Sequence, residues 1–297
     1  MVTRLCMPQH WKAAIMRATQ SLMKTYSVKY LFSALVLCLA VPAQAQSVSG
    51  WSQGAYARVR LINAGNPEPG MWRAGLEIDL EDGWKTYWRS PGETGVPPVF
   101  DWSASQAGGD IEVRWPVPHR FLDSGLESIG YKGDVILPIE IHVTDGGAPP
   151  VLRLALSYAV CAEICVPEEA QLSLDLSGGT KPRERLAVED FLAQVPERSA
   201  GAAVLSATAT ADRSEPLALR IAKLDGAEPE EVFVEGPQDW YLPAPVRSGD
   251  ALGTGAIVYE LPLDGLPAKA EALGTTLTVT AVYGHKAREE TITVGAR

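Results

Sequence analysis

The chain has 297 residues, 46% hydrophobic and 21% charged, with a formal net charge of −10 and four cysteines. Residues 1–45 carry five basic and no acidic side chains, so removing them takes the net charge from −10 to −15. A surface this acidic repels phosphate backbones and anionic lipid, which excludes nucleic acid as a natural partner.

The first expected element is an export signal. Tyr30 to Val41 form a short apolar run preceded by Lys24 and Lys29 and followed by Ala43-Gln44-Ala45, the charged, apolar, small-x-small order of a secretory leader. Cleavage is expected after Ala45, and a start at Met23 would give a leader of more ordinary length. The run is shorter than the about 20 residues that span a bilayer, and no later segment approaches that length, so the mature chain is expected to be soluble and periplasmic, without a transmembrane segment. Cys38 follows Leu37, a poor lipoprotein site, so Cys6 and Cys38 are expected to leave with the leader.

Beyond the leader the dominant pattern has period two. It runs through Trp72, Ala74, Leu76, Ile78 and Leu80, then Val135 to Val143, then Leu152, Leu154, Leu156 and Tyr158, which predicts half-buried strands. Turn signals at Asn66-Pro67, Asp82-Gly83, Pro91-Gly92, Gly108-Gly109, Gly133-Asp134 and Gly146-Gly147 separate them. Short strands punctuated in this way predict an all-β, immunoglobulin-like antiparallel sandwich over residues 46–178. Residues 179–200 read as a linker with a short helix, because Leu186, Val188, Phe191, Leu192 and Val195 recur at helical spacing over Arg185 to Val195. Strands are expected again over Ala218 to Leu224, Glu231 to Val234, Ala256 to Leu261, Thr276 to Val282 and Glu289 to Val294. These predict a second, smaller sandwich over residues 201–297.

The segment Cys161-Ala162-Glu163-Ile164-Cys165-Val166-Pro167 holds the two cysteines that remain after the leader. In an extended strand, residues four apart lie about 13 Å from one another, twice the Cα distance of about 4.4–6.8 Å that a disulfide permits. If the two bond, the chain must bend, and a hairpin with Ala162 to Ile164 as its connection would bring them face to face. So small a loop contributes little as a staple, and an exposed one is readily reduced. Glu163, Glu168 and Glu169 flank the pair, and no Lys, Arg or His lies close in sequence, so local charge is expected to raise the thiol pKa. That suits a disulfide attacked by a partner's thiolate. A purely structural disulfide remains open on spacing alone.

Other residues carry blander readings. Six tryptophans lie between Trp51 and Trp115, and Trp84, Tyr87 and Trp88 are close neighbours. They are expected to fill the core and seal the sandwich ends. Asp79, Glu81 and Asp82 lead into an Asp-Gly turn and are expected to face solvent without binding calcium. His142 sits in an alternating strand, and His119 follows Pro118 in an expected loop. A copper or zinc site of the cysteines with a histidine is conceivable for soft thiolates, but no third ligand stands at a recognisable spacing. Serine elbow, HExxH, phosphate loop and haem motifs are absent, so neither metal nor cofactor is expected.

Three motifs carry a resemblance. Asp82-Gly83-Trp84-Lys85-Thr86-Tyr87-Trp88, Ser128-Ile129-Gly130-Tyr131-Lys132-Gly133-Asp134 with Val135 to Pro138, and Tyr158 to Cys161 with Cys165 to Glu168 resemble the N-terminal periplasmic domain of the DsbD thiol:disulfide interchange family, over roughly residues 50–178. The resemblance implies an immunoglobulin-like domain that exchanges electrons between a membrane thiol reductase and periplasmic thioredoxin-like proteins. It implies that Cys165 makes the mixed disulfide and Cys161 resolves it. It also implies a cap loop at Phe121-Leu122-Asp123-Ser124-Gly125, with Phe121 or Leu122 as an apolar lid whose truncation would speed thiol labelling. The three-residue cysteine spacing is narrower than the family's usual one. The chain holds no eight-helix membrane segment and no Trp-Cys-x-x-Cys module, so recharging is expected to come from a separate membrane reductase. DsbD-like proteins of copper-tolerance loci carry extended N-terminal regions that the second sandwich echoes. Its expected role is a docking surface for a membrane partner. A non-catalytic module that binds a protein partner and a copper-handling protein are the competing functions.

Overall fold

The computed structural model describes residues 46–296, apart from 124, 145–146, 199–203, 211–213, 239, 241, 252, 254 and 264. The expected leader, with Cys6 and Cys38, lies outside the described residues. Among them, no helix is long and apolar enough to cross a membrane.

The alternating runs are strands. In spatial order one sheet runs β1 (Ser52–Gln53), β2 (Ala57–Glu68), β3 (Met71–Leu80), β9 (Val135–Val143) and β6 (Gly109–Val113). The facing sheet runs β11 (Cys165–Asp175), β10 (Val151–Cys161), β4 (Lys85–Gly92), β8 (Leu126–Lys132) and β7 (His119–Asp123), with β5 (Val99–Asp101) also paired to β10. Every pairing here is antiparallel. Because side chains alternate across a strand, one face of each sheet delivers Val59, Leu76, Leu137, Leu154 and Leu172 to a shared core. This is the immunoglobulin-like, all-β sandwich that the periodicity predicted.

Two local readings shift. The helix, α1, spans Pro182–Leu192 and not Arg185 to Val195, because proline lacks the N–H that the first turn leaves unpaired and suits that turn. α1 is more than a connector. Val188 is fully buried with Ile62, Ala64 and Ile136 on the outer face of the first sheet, where a Cβ on Gly75 would stand 2.8 Å from a Val188 methyl. Asn66-Pro67 and Pro91-Gly92, expected as turns, lie instead near the ends of β2 and β4, at irregularities in their pairing with β3 and β8.

The second sandwich stacks β12 (Glu197–Arg198), β19 (Lys286–Thr293), β18 (Thr276–Tyr283) and β15 (Glu231–Glu235) against β16 (Val246–Ala251), β17 (Ala256–Leu261), β14 (Leu217–Ala222), β13 (Val204–Ala209) and β20 (Gly295–Ala296). Leu219, Ile257, Leu261, Leu277 and Val279 fill its core. Two short edge pairings, β12 with β19 and β13 with β20, are parallel.

The sandwiches meet along β4 and β15. Val232 and Val234 face the second core while Phe233 turns the other way, 1% exposed, into the first core. Its ring lies 5.6 Å from that of Trp88. Arg89 donates to Glu235 at 2.7 and 2.8 Å and also to Glu289. Burial opposes the Arg89 charge, but the hydrogen bonds and charges of the two glutamates outweigh it and hold its pKa above the ordinary value. Arg120 of β7 donates to the Val232 carbonyl at 3.0 Å and stacks 4.9 Å over Phe233.

Candidate functional site

Strands β10 and β11 form one long hairpin in continuous register from Val151 opposite Asp175 to Cys161 opposite Cys165. Ala162, Glu163 and Ile164 make the connection, closed by the Ala162 N–H donating to the Ile164 carbonyl at 3.0 Å. The cysteines at its tip are bonded, with an S–S distance of 2.04 Å and Cα atoms 4.2 Å apart. Their surroundings differ sharply. Cys161 is 1% exposed, whereas Cys165 is exposed.

Cys161 is buried by β4, which pairs with β10 so that Lys85 lies opposite Cys161 and Thr86 opposite Val160. Residues opposite one another share a face of the sheet. Lys85 and Tyr87 therefore stand on the outer face with Ala159 and Cys161, while Thr86 and Val160 point inward. The Tyr87 hydroxyl donates to Cys161 Sγ at 2.7 Å and lies 3.3 Å from Cys165 Sγ, and Tyr87, Ala159 and Cys161 form a small buried cluster.

Strand β8 continues the same face. Lys132 lies opposite Lys85 and Gly130 opposite Tyr87. A Cβ on Gly130 would sit 2.0 Å from the Thr86 carbonyl oxygen, so glycine is required for β8 to approach the strand that carries Tyr87. The Lys85 ammonium is buried, donates to Ser128 Oγ at 2.9 Å and lies 5.3 Å from the Phe121 ring centroid. The Lys132 ammonium is 5.0 Å from the same ring.

The residues read as a cap loop are the end of a β-hairpin. Phe121 lies opposite Ser128, Leu122 opposite Glu127 and Asp123 opposite Leu126, while Ser124 lies outside the described residues. Phe121 is half-buried, its ring against the Lys85 and Lys132 ammonium groups; Leu122 is 75% exposed. His119, expected in a loop, opens β7 and packs its ring 6.4 Å from that of Phe121.

Two expectations are corrected. The aromatic run does not all serve the core: Trp88 and Trp115 are buried there, but Tyr87 points to the opposite face and touches both sulfurs. The electrostatic expectation, drawn from chain neighbours alone, is incomplete as well. Glu168 alternates away from the pair and accepts from the Ala55 N–H at 2.7 Å, Glu169 lies four residues up the strand from Cys165, and Lys85 and Lys132 arrive from β4 and β8. The lysines stand in two of the motifs quoted above, yet their place on the face that carries Cys161 is a matter of strand register.

The carboxylates weighed as calcium ligands are occupied or dispersed. Asp79 accepts from Arg58 at 2.5 Å, and Glu81 and Asp82 are exposed. Elsewhere Glu112, Glu140 and His142 approach one another within 4.8 Å, but Glu140 accepts from Arg73 at 3.1 Å and Arg114 at 2.8 Å, and Glu112 pairs with Arg198. Arginines already neutralise that cluster.

Comparison with known proteins places these features. Residues 63–177 match the family model described as thiol:disulfide interchange protein DsbD, N-terminal. No curated protein matches the chain. Among solved structures it is similar to the N-terminal periplasmic domain of ScsB from Proteus mirabilis, at 25% identity and a TM-score of 0.68, over 84% of this chain and 99% of that one. The family match and the structural likeness together show a DsbD-like, cysteine-bearing sandwich whose residues 63–177 match the DsbD N-terminal family model.

Proposed function

We propose that this is a periplasmic thiol-disulfide exchange protein, exported by a leader cleaved after Ala45, that passes electrons between a membrane thiol reductase and periplasmic thioredoxin-like proteins through Cys161 and Cys165. The observation that supports it most is the asymmetry of one disulfide: an exposed sulfur that another protein can reach, joined to a buried one held by Tyr87. A reduced partner's thiolate attacks Cys165 Sγ. The new intermolecular S–S bond forms as the Cys161–Cys165 bond breaks, and the electron pair stays on Cys161 Sγ. The partner's second thiolate then attacks its own sulfur in the mixed disulfide and releases Cys165 as thiolate, leaving this chain reduced and the partner oxidised. Delivery of electrons to an oxidised partner runs the same steps backwards, with Cys161 resolving the mixed disulfide.

The deciding measurement is the reduction potential of the mature protein, equilibrated against glutathione. Exchange proteins lie between about −270 and −120 mV, whereas structural disulfides fall below about −300 mV. A value in the first range is expected, and one in the second would leave a structural disulfide in a binding module.

Phe121 is the residue we assign as the lid, with Leu122 and Asp123 completing its hairpin. Phe121→Ala should speed alkylation of the reduced pair by a factor of several, because it removes the ring packed on Lys85. Leu122→Ala, at a site already exposed, should change it little. Equal rates in the wild type and Phe121→Ala would remove the lid. The second sandwich braces the site, since Trp88, Arg89 and Arg120, which it holds, adjoin Tyr87 and Phe121 in sequence.

A further inference from the structure

The proposed exchange leaves a negative charge on the less accessible sulfur, and the structure places a lysine on the strand that faces it. Lys85 lies directly across the strand pair from Cys161, where facing Cβ atoms are about 4.5–5.5 Å apart. Its ammonium stays on that face, 6% exposed, against Ser128 and Phe121. Charge at this depth is screened far less than at a surface.

We propose that Lys85 is a positioning residue that stabilises Cys161 as the leaving thiolate, acting beside the Tyr87 hydroxyl that contacts the sulfur. When a partner thiolate bonds to Cys165 Sγ and the internal bond breaks, the pair of electrons arrives on Cys161 Sγ within the field of Lys85. Lys132, from the next strand, adds to that field. A leaving thiolate stabilised in this way departs faster.

Among the described residues, the other titratable groups near Cys161 come from the neighbouring strands and the hairpin connection. Tyr87 comes from β4, Lys132 from β8 and His119 from β7 beyond Phe121. Cys165 and, four residues farther on, Glu169 share the same face of β11. Glu163 sits in the exposed turn and is the acidic group nearest in sequence. The lysines on the face of the sheet oppose it.

The test uses the full mature chain carrying Cys165→Ala, which leaves Cys161 as its single thiol, and follows thiolate absorbance against pH. Lys85→Met and Lys85→Gln should each raise the midpoint and leave about tenfold less thiolate at neutral pH. Lys85→Arg should restore it. In chains with both cysteines, Lys85→Met should also slow reduction of the oxidised protein by dithiothreitol. An unmoved midpoint in folded Lys85→Gln overturns the proposal, as does a midpoint raised equally by Lys85→Arg, which would mark a packing effect. The inference rests on the exchange reading, but its titration needs no partner. Failure of exchange appears in partner assays, and failure of the lysine's role in the midpoint.

Discussion

Cys161→Ala should form a near-stoichiometric mixed disulfide with a thioredoxin-like protein that retains one active-site cysteine, activated as its thionitrobenzoate adduct. Cys165→Ala should form it only at background. The difference follows from accessibility, since a thiolate displacing a thionitrobenzoate must approach in line with the sulfur under attack. Cys165 stands at the exposed hairpin tip, whereas Cys161 is 1% exposed and covered by Tyr87. Cys161 can therefore reach another protein's sulfur only after β4 and the hairpin separate. Equal adduct yields from both variants would reverse or merge the roles assigned to the two sulfurs. No adduct from either would sink the exchange reading itself. Non-reducing electrophoresis and mass spectrometry separate the three results.

The second large effect is expected at the seam between the sandwiches. Trp88→Ala should cost about 3–5 kcal/mol, the usual loss for a large aromatic side chain cut out of a core, because Trp88 is 2% exposed and packs on Phe233. Arg89→Met should cost about 3 kcal/mol by leaving the Glu235 carboxylate, 16% exposed, without its cation and Glu289, 12% exposed, with Arg198 alone. Each loss corresponds to a fall in Tm on the order of 10 °C for a chain of this size. Urea denaturation of the mature protein measures both. A loss under about 1 kcal/mol, typical of surface sites, would show that the seam is incidental. Tyr87 precedes Trp88, so the Trp88→Ala variant should also show faster alkylation of its reduced cysteines.

Much of the first sandwich was legible because its strands keep one face dry. Trp72 to Leu80, Val135 to Val143 and Leu152 to Tyr158 alternate for that reason. Strand β4 was harder to read. Lys85, Thr86, Tyr87 and Trp88 are all buried, the outer pair by the cysteine hairpin and β7–β8, and Trp88 also against the second sandwich. A strand covered on both sides loses its period-two signal. The same holds for β2, whose alternation through Ala57, Val59 and Leu61 gives way to the continuous buried run Ile62, Asn63, Ala64 once α1 covers the other face. The helix was visible in its spacing, and the displacement of its ends reflects the latitude of the first turn, where Pro182 fits without an N–H.

What the amino-acid order determined by itself is local: half-buried strands, the turns between them, and two cysteines spaced so that a bond demands a bend. Their family likeness was carried by the same short motifs. Tertiary structure decided which sulfur faces solvent and which groups attend the other. Tyr87 reaches Cys161 across 74 residues of chain, and Lys85 and Lys132 reach the same face through two successive strand pairings. Neighbours across a sheet are set by register, and register depends on how all the strands bury their apolar faces together. No short segment contains that information, so the acids that flank the pair along the chain are joined on its face of the sheet by lysines from other strands.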